Sequence, residues 1–154
     1  MTGTAPAAQL SWPARRDRRR QCHTGCVQIV AALFIDDIEL RQAPGPSTRI
    51  DLSGVHFSRA ADAAVPCTVA PHLVVLVHCP PDHPGTAALE VTYHRRGEQI
   101  ARNVQPLQVE PGKFNYRLVR AELEFGEYGT VEAHCRIDLG EPIVVPFTLL
   151  APAA

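Results

Sequence analysis

The chain is expected to fold as an all-β protein, an antiparallel sandwich of roughly seven or eight short strands behind a disordered basic N-terminal tail. Three observations carry this. Leu123 to Phe147 opens on a Gly-x-Tyr at Gly126 and Tyr128, then runs through strict two-residue alternation, a turn and a second β-branched segment, the pattern of a closing hairpin. The 14 prolines fall mostly between apolar runs, which suits short strands joined by stiff loops and opposes long helices. Hydrophobic residues make up 45% and charged residues 20% of 154 residues, enough apolar matter for one core and one domain.

Met1 to Gly25 has no periodicity and few large apolar residues, so it is expected to stay a tail; the alternative is translated GC-rich leader ahead of a start near Val27. The domain is expected over residues 26–151. Val27 to Ile35 is apolar on both faces, as a first strand buried between layers would be, and Ile38 and Leu40 extend it. Ala43 to Pro46 is a turn. Arg49 to Phe57 reads as a second strand with a bulge at Gly54. Ser58 to Val65 reads as a loop or single helical turn ended by Pro66. His72 to Cys79, again apolar on both faces, is expected as a central strand ended by Pro80 to Gly85.

Alternation resumes at Ala88 to His94, with Leu89, Val91 and Tyr93 inward and Glu90, Thr92 and His94 outward. Arg95 to Glu98 makes a tight turn into Gln99 to Val104, and Leu107 to Val109 forms a short edge segment between Pro106 and Pro111. Phe114, Tyr116 and Leu118 alternate before Val119 to Phe125. The last two strands are Tyr128 to Ile137 and Pro142 to Leu149, turning at Asp138 to Glu141.

Net charge is -1, so the molecule as a whole carries no field that selects nucleic acid or an anionic membrane. The basic charge is concentrated in Arg15, Arg16, Arg18, Arg19 and Arg20, with Trp12 nearby, a weak candidate for phosphate contact through a flexible arm. A run of like charge is more often simply solvated, so nucleic acid is not the expected partner. Five cysteines, an odd number at irregular spacing, argue for a reduced, cytoplasmic setting. Val27 to Ile35 is too short to span a bilayer and runs into Asp36 and Asp37 without a cleavage site, so neither a membrane segment nor an export signal is expected.

The opening strand Ala32 to Asp37 (ALFIDD), Gly126 to Gly140 (GEYGTVEAHCRIDLG) and the closing Val144 to Leu149 (VVPFTL) resemble a family of uncharacterised bacterial small β-sandwich proteins. The resemblance spans most of the domain and implies a Greek-key, immunoglobulin-like sandwich. It transfers no catalytic or binding residue.

Candidate sites are few. His78, Asp82 and His83 bracket a proline-stiffened loop at a sandwich end, the place where binding loops sit, and His78 with His83 are the candidate metal ligands. His72 shares a face with His78 but lies about 20 Å away along the strand, too far to share a metal. Cys22, His23 and Cys26 are zinc-compatible ligands without a second pair. His94 and His134 fall on outward faces with Glu90, Glu132, Arg136 and Asp138, and would form a polar patch if their strands were neighbours. Cys135 reads as a small core hydrophobe. There is no G-x-S-x-G elbow, phosphate-cradling loop or H-E-x-x-H. The expected function is a non-enzymatic binding module, without cofactor, that meets a protein partner or a second copy through a sheet edge such as Leu107 to Val109, or a small ligand through the loops Pro80 to Gly85 and Pro111 to Lys113. The alternatives are a metal-dependent enzyme or metal carrier using the loop histidines, and weak nucleic-acid contact through the arginine arm.

Overall fold

Alternation of apolar and polar residues is resolved into strands throughout the computed structural model, which describes residues 25–45 and 47–153. Twelve strands and no helix form among these residues: β1 Gln28–Ile35, β2 Asp37–Gln42, β3 Thr48–Ser53, β4 Ser58–Ala60, β5 Cys67–Val69, β6 His72–His78, β7 Thr86–Arg95, β8 Glu98–Gln108, β9 Phe114–Arg120, β10 Leu123–Phe125, β11 Gly129–Ile137 and β12 Ile143–Leu150. They build a three-stranded sheet in the order β1-β6-β9 and a five-stranded sheet in the order β4-β12-β11-β7-β8, with two-stranded ladders β10-β5 and β2-β3. Pairing is antiparallel except for β4 on β12.

The two larger sheets share one buried cluster. Leu73, Val75 and Val77 of β6 and Phe34 of β1 meet Leu89, Val91 and Tyr93 of β7, Val131, Ala133 and Cys135 of β11, and Val145, Phe147 and Leu149 of β12. Phe147 lies at its heart, 5.2 Å from Phe34 and 6.4 Å from Phe125 between ring centroids. Each such side chain withdrawn from water contributes about 1.5–3 kcal/mol, so this cluster decides which way β1, β6, β7, β11 and β12 face.

Turn chemistry fixes the registers as the sequence suggests. Arg96 and Gly97 both have positive φ, 50° and 81°, the backbone of a two-residue hairpin turn joining β7 to β8. At the β11–β12 turn Asp138 accepts from the Ala88 N–H at 2.9 Å and donates its own N–H to the Ala88 carbonyl at 2.8 Å, tying that turn to the start of β7.

Several elements depart from expectation. Ile38 and Leu40 do not extend the first strand: the chain bends at Asp36, and β2 pairs with β3 as a hairpin that belongs to neither large sheet. Gly54 is not a bulge inside a strand. β3 ends at Ser53, and Gly54, at φ +63°, redirects the chain where an added Cβ would fall on the Asp36 side chain. Beyond it His56 N–H bonds the Phe34 carbonyl and Phe57 accepts from Thr148, so this segment leaves β1 and joins the opposite sheet as β4. The hydrogen bonds of β12 thus make a strand where local propensity suggested a loop. β5 was equally silent in sequence and exists through its partner β10, which separates from β9 at Ala121. β8 runs unbroken through Pro106, which an edge strand tolerates. The first strand is not buried throughout, since Val30, at a register irregularity, is 55% exposed. All of the expected tail but Gly25, with its five arginines, Cys22 and His23, lies outside the described residues.

Candidate functional site

At one end of the sheets the loops after β6 and after β8 are bonded into one unit. Cys79 N–H reaches the Lys113 carbonyl (2.9 Å), Gly112 N–H the Cys79 carbonyl (2.8 Å) and Val109 N–H the Gly85 carbonyl (2.8 Å). Gly85 has φ +89°, and a Cβ there would strike the Val109 carbonyl oxygen, so the close approach of the two loops requires glycine. His83 folds into this unit: its Nδ1 accepts the Gly85 N–H at 2.9 Å and stands 3.8 Å from the Cys79 Sγ. Thiol beside imidazole is the raw material of a nucleophile, but Cys79 is fully buried and the facing nitrogen is already occupied.

His78 and Asp82 go elsewhere. The His78 ring packs 4.5 Å from that of Phe114 across the β6–β9 pair, and Asp82 is exposed beside Gly25. Among the described residues no three of His, Cys, Asp or Glu stand together as metal ligands. The expected edge segment Leu107 to Val109 turns its apolar side chains into the core, both nearly inaccessible, and Val109 N–H is engaged.

The outward face of the five-stranded sheet assembles the polar patch anticipated from alternation. His94 and His134 are stacked with centroids 4.3 Å apart. His94 Nε2 shares a hydrogen bond with Thr92 Oγ1 (2.9 Å), and His134 Nε2 with Glu132 Oε2 (3.3 Å). Nearby, Glu90 accepts from Arg136 at 2.9 Å and from Arg102 at 3.3 Å, and these guanidiniums hold its carboxyl below the usual carboxylate range. A shallow cleft of about 320 Å³ opens beside His94, lined also by Arg95, Arg96, Tyr128, Thr130 and Glu132. Its cations are committed: Arg96 pairs with Glu127 at 2.6 Å, and Arg95 lies 4.5 Å over the Phe125 ring and donates to the Glu124 carbonyl. The patch therefore consists of mutually satisfied charges, a cross-strand arrangement that stabilises a wet sheet face.

The β1-β6-β9 sheet is different. Register places Leu33, Val74 and Leu118 in one row across its outward face, Ala31, Leu76 and Tyr116 in the next, and Gln28, His78 and Phe114 in the third. None of these side chains belongs to the cluster between the sheets, yet Val74 is itself fully buried, so the open apolar surface of this face lies mainly along β9. Phe114 is 70% exposed and Leu118 38%. A sheet with apolar residues on both faces is ordinarily covered on both. The signal was present in the sequence, in the two-faced apolar runs of β1 and β6 and the alternation of Phe114, Tyr116 and Leu118. Only the pairing of β6 with β9 reveals that these three point away from the core.

No model of a known protein family matches this chain, and no curated protein matches it significantly.

Proposed function

We propose that the chain is a non-enzymatic interaction module of immunoglobulin-like, Greek-key topology that binds protein through the outward face of the β1-β6-β9 sheet. The strand orders support the topological part. The N-terminal strand segments divide between the sheets, β1 in one and β4 in the other, where β4 runs parallel to the last strand. The chain then crosses between sheets from β6 to β7, from β8 to β9 and again before β11, which is sandwich wiring of the Greek-key kind. Topology does not supply function. The functional part rests on one observation, the apolar side chains that β9 places on this outward face, Phe114 and Leu118, open to solvent beside the half-buried Leu76. Burial of those side chains against a partner is favourable by the same physics that builds the core.

The test is native mass spectrometry of the full-length protein purified gently near neutral pH. A retained protein chain, whether a second copy or another polypeptide, is the expected result. A monomer carrying a stoichiometric metal or small molecule and no protein would overturn the reading in favour of the loop around His78, Asp82 and His83.

A further inference from the structure

We infer that Asn115 closes the open side of the sandwich against strand addition, so that partners meet this protein through side chains and not by extending a sheet. The inference goes beyond the reading above and does not depend on it. Along an edge strand of an antiparallel ladder the residues alternate, one bonding inward to the neighbouring strand and the next aiming its N–H and C=O at solvent. Cys79 N–H bonds the Lys113 carbonyl, and the register carries that phase along β9, so Asn115, Arg117 and Val119 bond to β6 while Phe114, Tyr116 and Leu118 aim outward. Among the described residues no strand pairs with β9 on that side. An incoming strand would need those three outward residues in succession.

The middle one is already taken. Tyr116 N–H donates to Asn115 Oδ1 at 2.8 Å, and the Tyr116 carbonyl accepts from Arg117 Nη1 at 3.3 Å. Asn115 stands opposite the buried Val77, which turns its side chain between the sheets, and its Nδ2 donates across the gap to the Gln108 carbonyl at 3.2 Å. Gln108 ends β8, the edge of the five-stranded sheet, and its carbonyl also aims outward, since the next residue, Val109, bonds inward to Gly85. One side chain thus occupies a donor on one sheet's edge and an acceptor on the other's. The remaining edges carry other obstacles. Pro106 puts a position without N–H on the outward side of β8, because it opposes Ala88, whose own N–H and C=O turn to Asp138. Pro146 does the same on β12, in phase with Thr148, whose N–H turns away from β11 to the Phe57 carbonyl. On β1 the Phe34 carbonyl accepts from His56 N–H. Unblocked edges pair with other chains, and proline or local capping prevents it. Asn115 differs from the other obstacles in that a side-chain truncation removes it without altering the backbone.

Sedimentation velocity of the full-length protein from low micromolar to several hundred micromolar, paired with amide hydrogen exchange, tests this. Asn115→Ala is expected to free the Tyr116 amide to exchange about tenfold faster than in the wild type when dilute. When concentrated it is expected to associate beyond the wild type, with the Tyr116 and Leu118 amides slowing as an added strand bonds them. Asn115→Asp keeps an oxygen at the Tyr116 N–H and is expected to sediment as the wild type does. Circular dichroism confirms that each variant is folded. Asn115→Ala sedimenting like the wild type at every concentration overturns the inference, as does association that leaves the Leu118 amide fast, or Asn115→Asp associating as Asn115→Ala does. The wild type supplies a check that needs no variant. Its Leu118 amide is expected to exchange fast at every concentration, because contact through side chains leaves that N–H unbonded, and slowing of this amide as concentration rises overturns the inference.

Discussion

Tyr93 and Cys135 face the core from the adjacent strands β7 and β11, both with no accessible surface. Burial pushes the Cys135 thiol up to about 12 and raises the Tyr93 phenol as well, the neighbouring thiol adding to the effect of desolvation. In the unfolded chain these groups lose their protons at about pH 8.5 and 10 respectively. Raising the pH therefore strips protons from the unfolded state while the folded state keeps them, and stability falls with pH by about 1.4 kcal/mol per unit for each group that has begun to titrate. The full contribution is present below about pH 8.5 and is lost progressively as pH climbs towards the folded-state values. Urea unfolding followed by circular dichroism at a series of alkaline pH values is expected to show this decline, with Tyr93→Phe flattening it above about pH 10. That variant is not expected to destabilise the fold at neutral pH, because the Tyr93 hydroxyl is buried without a partner among the described residues. Stability unchanged to about pH 11 would mean that these side chains are not held neutral in the core.

The strands differ widely in what holds them. β6 and β11 lie between neighbours on both sides and are fixed by burial as well as by hydrogen bonds. The β2–β3 hairpin has only its own ladder. Ile38 opposes Leu52 and Leu40 opposes Ile50, while Arg41 and Asp51 pair at 2.6 Å, all of it at or near the surface. A two-stranded hairpin is marginal on its own. Amide hydrogen exchange is accordingly expected to be rapid across Asp37–Ser53 and slowest in β6, β7 and β11; protection in the hairpin equal to that of β6 would show that it docks on another surface.

This contrast also marks how far the sequence could be read. β7, β11 and β12 were legible because one face is buried and the other wet, which writes alternation into the residues: Leu89, Val91 and Tyr93 against Glu90, Thr92 and His94. The neighbouring of His94 and His134 followed once those two strands paired. β4 and β5 were not legible, since three-residue strands are made by partners distant in sequence, β12 and β10, and carry no period of their own. The side to which Phe114, Tyr116 and Leu118 point was hidden for a related reason. Alternation gives a phase but no direction until the register with β6 is known.

At the scale of the whole molecule, one buried cluster joins the two large sheets, and their outward faces differ in charge, although the five-stranded one also carries the exposed Val104 and Val144. The five-stranded sheet presents paired charges around Glu90 and the stacked histidines. The three-stranded sheet presents Phe114 and Leu118, with Leu33, Leu76 and Tyr116 half-buried beside them. No helix among the described residues is long and apolar enough to cross a membrane. On the reading proposed above a protein partner covers this apolar face, and that covering is the central claim. Hydroxyl-radical footprinting at several hundred micromolar protein measures it directly, since aromatic rings oxidise quickly where solvent reaches them. Phe114, although more open in the single chain than Phe57 at 61% exposure, is predicted to be the better protected of the two. Phe114 oxidised as fast as Phe57 would contradict the claim, because the face would then stand open to water.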